Sequence, residues 1–146
     1  MPRNNFLKLP SLLLDARETA DVTQRALAAA MGVHPTHLCG VERGRRRVND
    51  PDFLPRFVLS LGLSAAHLVE LRWALTHDQV IQHAHSVGLA DVELALVSLA
   101  LQVAHELDSS ERAGIERLLA AALHSKRTLR SYVAEAAPQQ EGADMI

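Results

Sequence analysis

Apolar residues recur along this chain mostly three and four positions apart, the spacing of one helix face. Pro10 and Ser11 open a first helix, LLLDARETA, with Leu12, Leu13 and Ala16 as a short apolar face, and residues 1–8 read as a loose arm before it. Thr23 is a good N-cap for a second helix, QRALAAAM, which Gly32 ends. Pro35 suits the first turn of a third helix running to about Arg43, and Gly44 stops it. A loop at Asn49, Asp50 and Pro51 leads to a fourth helix over 53–61, closed by Gly62. Ser64 caps a fifth, AAHLVELRWAL, in which Leu68, Leu71 and Leu75 share a face.

Three more helices are expected behind these. Residues 78–87 are weakly amphipathic, and 91–107 are apolar nearly all round, which demands burial on several sides. Residues 110–134 carry one apolar stripe, and the tail from Pro138 is expected to fray. The fold class is therefore all-α: an N-terminal five-helix domain, residues 1–76, followed by a helical region, residues 77–146. The rear helices offer more apolar surface than three helices bury among themselves, which points to a homodimer interface. Val92, Leu96, Leu99, Val103, Ile115, Leu118, Leu119 and Leu123 are its expected contacts.

Two neighbouring short helices carry the chemistry. In TQRALAAAMGVHPTHLCGVERGRRR, residues 23–47, Ala28 is small where two helices must approach and Gly32 supplies a tight turn. Leu27, Met31, Val33, Leu38 and Val41 are spaced to fill the gap between them. The start of the second helix is then free to enter a major groove about 12 Å wide. Arg45, Arg46 and Arg47 follow, positive charge where a flanking phosphate backbone would pass.

This segment resembles the helix-turn-helix family of phage repressors and Cro proteins, the Xre type, over about residues 9–75. Thr-Gln, Leu-Ala, Gly-Val, a polar triplet, Leu and Val-Glu-Arg-Gly follow in the family's order. The resemblance implies a five-helix bundle that binds double-stranded DNA. It makes Gln24, with Thr23 before it, the start of a positioning helix on a phosphate. It makes His34, Pro35, Thr36 and His37 the start of the recognition helix, and Arg43, Gly44 and Arg45 a phosphate-contacting turn. It also pairs Arg17 with Glu42, which would orient the recognition helix more than stabilise the fold. Where the family often carries long polar side chains, this chain has Pro35 and Gly40. Direct base reading then falls to Thr36, His37 and His34, with DNA shape and the arginine cluster adding specificity.

Charge agrees with this division. The net charge is −2, yet residues 1–73 carry ten Lys/Arg against seven Asp/Glu, and residues 74–146 five against ten. A basic front and an acidic rear suit one part for DNA and one for another task. The single cysteine, Cys39, excludes an internal disulfide and fits a reduced, cytoplasmic setting; a packed thiol suits it better than a redox switch. No signal peptide and no stretch near the ~20 apolar residues of a membrane helix is evident. Eight histidines invite a metal reading, but His83 and His85 point apart on a helix, so no metal and no cofactor is expected. Nor is catalysis, because no phosphate loop or nucleophile elbow is present. Trp73 is expected at a seam between two packed units.

The expected function is a sequence-specific transcriptional regulator, a repressor acting as a homodimer on a pseudo-palindromic operator. The alternative is an antitoxin that binds its own promoter and a partner toxin.

Overall fold

The computed structural model describes residues 6–136, and among them it contains seven α-helices and no strand. In chain order these are α1 (Leu9–Thr19), α2 (Gln24–Met31), α3 (Pro35–Glu42), α4 (Phe53–Leu61), α5 (Ala65–Ser86), α6 (Asp91–Glu106) and α7 (Ser109–Ala136). The chain divides into two compact units, one ending at Gln102 and one beginning at Val103.

In the first unit, α1 to α5 enclose one apolar core. Leu13, Leu27, Ala28, Leu38, Phe57 and Ala74 are wholly buried there, one or two from each helix. The α2–α3 turn explains itself locally. Thr23 accepts a hydrogen bond from Ala26 N at 3.1 Å, and Gly32 takes the left-handed conformation at φ +68°. That conformation lets Val33 N reach back to Ala28 O at 3.0 Å, satisfying a carbonyl the helix end would otherwise orphan. A side chain at position 32 would be strained there.

Several expectations change. The arm expected over residues 1–8 is held at its end: Leu7 is buried, and Asp78 accepts from Lys8 N at 2.7 Å and from Leu9 N at 2.9 Å. The start of the arm lies outside the described residues, as does the tail from Pro138. The helix α1 begins at Leu9, earlier than expected, and its buried face is Leu9 and Leu13, one turn apart, while Leu12, expected on the apolar face, turns out. The helices expected over 65–75 and 78–87 are one 22-residue helix, so the boundary expected at 76/77 falls inside α5. Nothing between Ala74 and Gln79 breaks a helix, and Leu71, Ala74, His77, Asp78 and Ile81 form its continuous buried face. Finally, α6 buries only Leu94 and Ser98, not several sides. Trp73 is half-buried and packs against the α1–α5 core, 5.4 Å from the His77 ring. The seam expected at Trp73 is thus the packed interior of one unit.

Candidate nucleic-acid interface

The helix α3 begins at Pro35, a residue already set for a helical first turn. His34 caps it, with Nδ1 accepting from Thr36 N at 3.2 Å. That bond spends one face of the His34 ring on the helix end and leaves its Nε2 side exposed. Thr36 is exposed. His37 is half-buried, its ring edge-on to Phe53 with centroids 6.2 Å apart. Packing therefore fixes the direction of His37, whereas Thr36 stands free on the surface. Cys39 is half-buried and reduced.

Beneath α3 lies a polar lock. Glu42, only 2% exposed in its side chain, accepts from Arg17 Nε at 2.6 Å and Arg17 Nη2 at 3.1 Å. Gln24 Nε2 donates to the same carboxylate at 2.8 Å, and Arg17 Nη1 donates to Val22 O at 3.0 Å. The Glu42 hydrogen bond raises the Arg17 pKa above its ordinary value, against the opposing pull of burial. One carboxylate thus joins α1, α2 and α3. A forked guanidinium fixes direction as well as distance, so the arrangement sets the angle at which α3 is presented. The Gln24 amide is engaged with Glu42, which places it beside the α2 N-terminus rather than clear of the surface.

The turn after α3 is shaped by main-chain bonds. Gly44 has φ +68° and is buried, and Arg45 N and Arg46 N both donate to Gly40 O, at 2.8 and 3.0 Å. Arg43, Arg45, Arg46 and Arg47 are all exposed on this turn. Arg56 of α4 braces the loop that follows, donating to Met31 O at 3.2 Å and pairing with Asp50. Thr23, Gln24, Thr36 and the arginines therefore come from one rigid set of short elements, α2, α3 and the turn after it.

The candidate pairing residues are mostly bare. Val92, Leu96 and Leu99 on α6 are 75%, 65% and 58% exposed. On α7, Ile115, Leu118, Leu119 and Leu123 are exposed too, and so are Leu129, Tyr132 and Val133. Val103 is half-buried.

Sequence reasoning missed a buried polar chain. Asp78 Oδ1 accepts from His77 Nδ1 at 2.8 Å, His77 Nε2 meets Ser98 Oγ at 2.9 Å, and Gln102 Nε2 donates to Ser98 Oγ at 3.1 Å. The proton order is self-consistent: an acceptor-only carboxylate makes Nδ1 the donor, and Ser98 accepts from Gln102 while donating to Nε2. Serine, histidine and aspartate follow one another as in nucleophilic hydrolases. Here, however, they are 5%, 1% and 4% exposed, so they join α6 to α5 and cap α1. A His-Asp pair followed by a serine 20 residues on carries no local signal.

Among the described residues, no group of three or more His, Cys, Asp or Glu side chains is placed to hold a metal ion. Among the same residues, no helix is long and apolar enough to cross a membrane.

A small-residue turn, an exposed helix start, an orienting ion pair and an arginine-rich exit together describe a helix-turn-helix. Residues 11–71 match the model of a family described as a helix-turn-helix domain. No curated protein and no solved structure matches the chain.

Proposed function

We propose that this protein is a sequence-specific transcriptional regulator, a repressor that binds a pseudo-palindromic operator as a homodimer in the cytoplasm. The observation that carries the reading is the Arg17–Glu42–Gln24 lock, which holds α3, with Thr36 exposed at its start, at one angle beside four exposed arginines. Thr36 reads a base edge, and its methyl suits contact with a thymine methyl. Arg43, Arg45 and Arg47 lie on the phosphate backbone, and the free N–H groups at the start of α2, beside Thr23 and Gln24, take another phosphate.

Self-pairing is supported by spacing. Ile115, Leu119, Ala122, Leu129 and Val133 fall alternately four and three residues apart if Lys126 is counted, which is the seam of a coiled coil. Val92, Leu96, Leu99 and Val103 repeat the same rhythm on α6. Two copies held together would set their recognition helices one DNA turn, ~34 Å, apart. The same bare α7 stripe favours the second reading, an antitoxin that covers it with a toxin. Copurification of one stoichiometric small protein would establish that instead.

The test is DNA binding against salt. Four to six phosphate contacts per dimer predict a log affinity against log salt slope of about −4 to −5. A flat response refutes the placement of the arginine turn on phosphate.

A further inference from the structure

Gly40 lies one helical turn after Thr36, at i+4 on the same face of α3. A glycine there leaves that face without a side chain of its own. The gap is nevertheless filled. A Cβ built on Gly40 would stand 2.8 Å from Arg46 Cγ, 2.9 Å from Cδ and 3.3 Å from Nε. Arg46 therefore lies across the helix where a residue-40 side chain would run. The main chain enforces the arrangement, since Gly44 reverses the chain and Gly40 O accepts from Arg45 N and Arg46 N.

From this we infer that Arg46 is a base-reading residue, a guanidinium lent to the recognition helix by the following turn, and that it takes a guanine in the major groove. The inference rests on the DNA-binding reading above. Arg46 is exposed, so its guanidinium is open to a ligand, while its stem packs on the helix backbone. A stem already laid down loses less freedom on binding than one waving in water. Guanidinium presents a planar fork that matches guanine O6 and N7 together, which a point charge does not. Thr36 and Arg46 then read neighbouring bases from one face, and the glycine at position 40 is required so that Arg46 can reach it. The three atoms nearest that Cβ all belong to Arg46, and Arg43, Arg45 and Arg47 keep the phosphate role.

Two unlike substitutions should converge. Arg46→Ala removes the reader. Gly40→Ala puts a Cβ into the space of Cγ and Cδ and must push the flexible Arg46 side chain off the helix, while alanine itself favours the helix. The full-length protein and these variants, with Thr36→Ala and Arg46→Lys, would be put through selection from a random duplex library. Affinities would follow on single-base variants of the selected site. Circular dichroism melts check that each variant folds. Arg46→Ala and Gly40→Ala should both lose preference for guanine at one and the same position, by roughly 5- to 150-fold. Arg46→Lys should lose part of it, and Thr36→Ala should relax a different position. If Arg46→Ala weakens all sequences equally and keeps every preference, Arg46 is a phosphate contact and the inference is overturned. If Gly40→Ala keeps the preference that Arg46→Ala loses, the route across Gly40 is overturned. A wild-type protein that selects no sequence overturns the DNA-binding reading and this inference with it.

Discussion

Consider removing Glu42. Its side chain is 2% exposed and that of Arg17 13% exposed, so Glu42→Ala leaves Arg17 charged and largely buried, with Val22 O as its remaining acceptor. Breaking a buried pair by deleting one member costs about 3–5 kcal/mol, and the partial exposure of Arg17 puts this case near the lower end, about 3. For a domain of this size that is a fall in Tm of about 12–24 °C. Replacing both partners with apolar residues of similar volume, Arg17→Met with Glu42→Leu, removes the stranded charge and should recover stability to within about 1 kcal/mol of wild type. Function should not recover with it. Without the forked link across α1, α2 and α3, the angle of the recognition helix is no longer fixed, and operator affinity should stay at least about 10-fold weak, ~1.4 kcal/mol. Urea titrations give the stabilities, and fluorescence anisotropy on the selected site gives the affinities. A Glu42→Ala variant within 1 kcal/mol of wild type would show that the pair is not buried in the sense described. A double variant that binds DNA normally would show that the lock does not set the angle.

Two more outcomes are expected. Asp78→Ala strips the carboxylate from the N–H groups of Lys8 and Leu9 and from His77, and at ~1–3 kcal/mol per stranded donor it should cost about 3–5 kcal/mol in urea titration; a loss under 1 would mean water replaces the cap. A fragment ending at Gln102 should fold by circular dichroism and sediment as a weaker dimer or a monomer, while one ending at His77 lacks Asp78 and Ile81 and should melt far lower; a 1–102 fragment that dimerises as tightly as the full chain would remove α7 from the interface.

Helix boundaries were most legible where one residue decides them. Thr23, Gly32, Pro35 and Gly62 each act on their own neighbours, and α2 and α4 run over the residues their caps and stops imply. The errors sit where the deciding partner is distant. Lys8 makes no side-chain cap, and α1 begins where it does because a carboxylate some 70 residues away accepts from the N–H groups of Lys8 and Leu9. That same carboxylate, with His77, sits on the buried face of α5. Two polar residues in the stripe made the sequence read as two helices, since a hydropathy pattern counts them as solvent positions. Their partners, Ser98 and the start of α1, are invisible to any local window.

The candidate site shows the same limit from the other direction. The residue types of a DNA-reading helix were visible as types: Thr36 and the arginine run, with Arg17 and Glu42 at positions where similar proteins pair. What a linear pattern could not supply was the use of Gly40. Read along the chain, it is a weak helix former at a position that lacks a reading side chain, and Arg46 is one of a run of like charges. In three dimensions the absence and the surplus meet, because a left-handed Gly44 folds the chain back and both N–H groups after it are taken by Gly40 O. A vacancy on a helix face is thus informative only together with what lies across it. On the proposed reading the arginine cluster divides by geometry: Arg46, laid over the helix face, would carry sequence information, and Arg43, Arg45 and Arg47 the salt dependence.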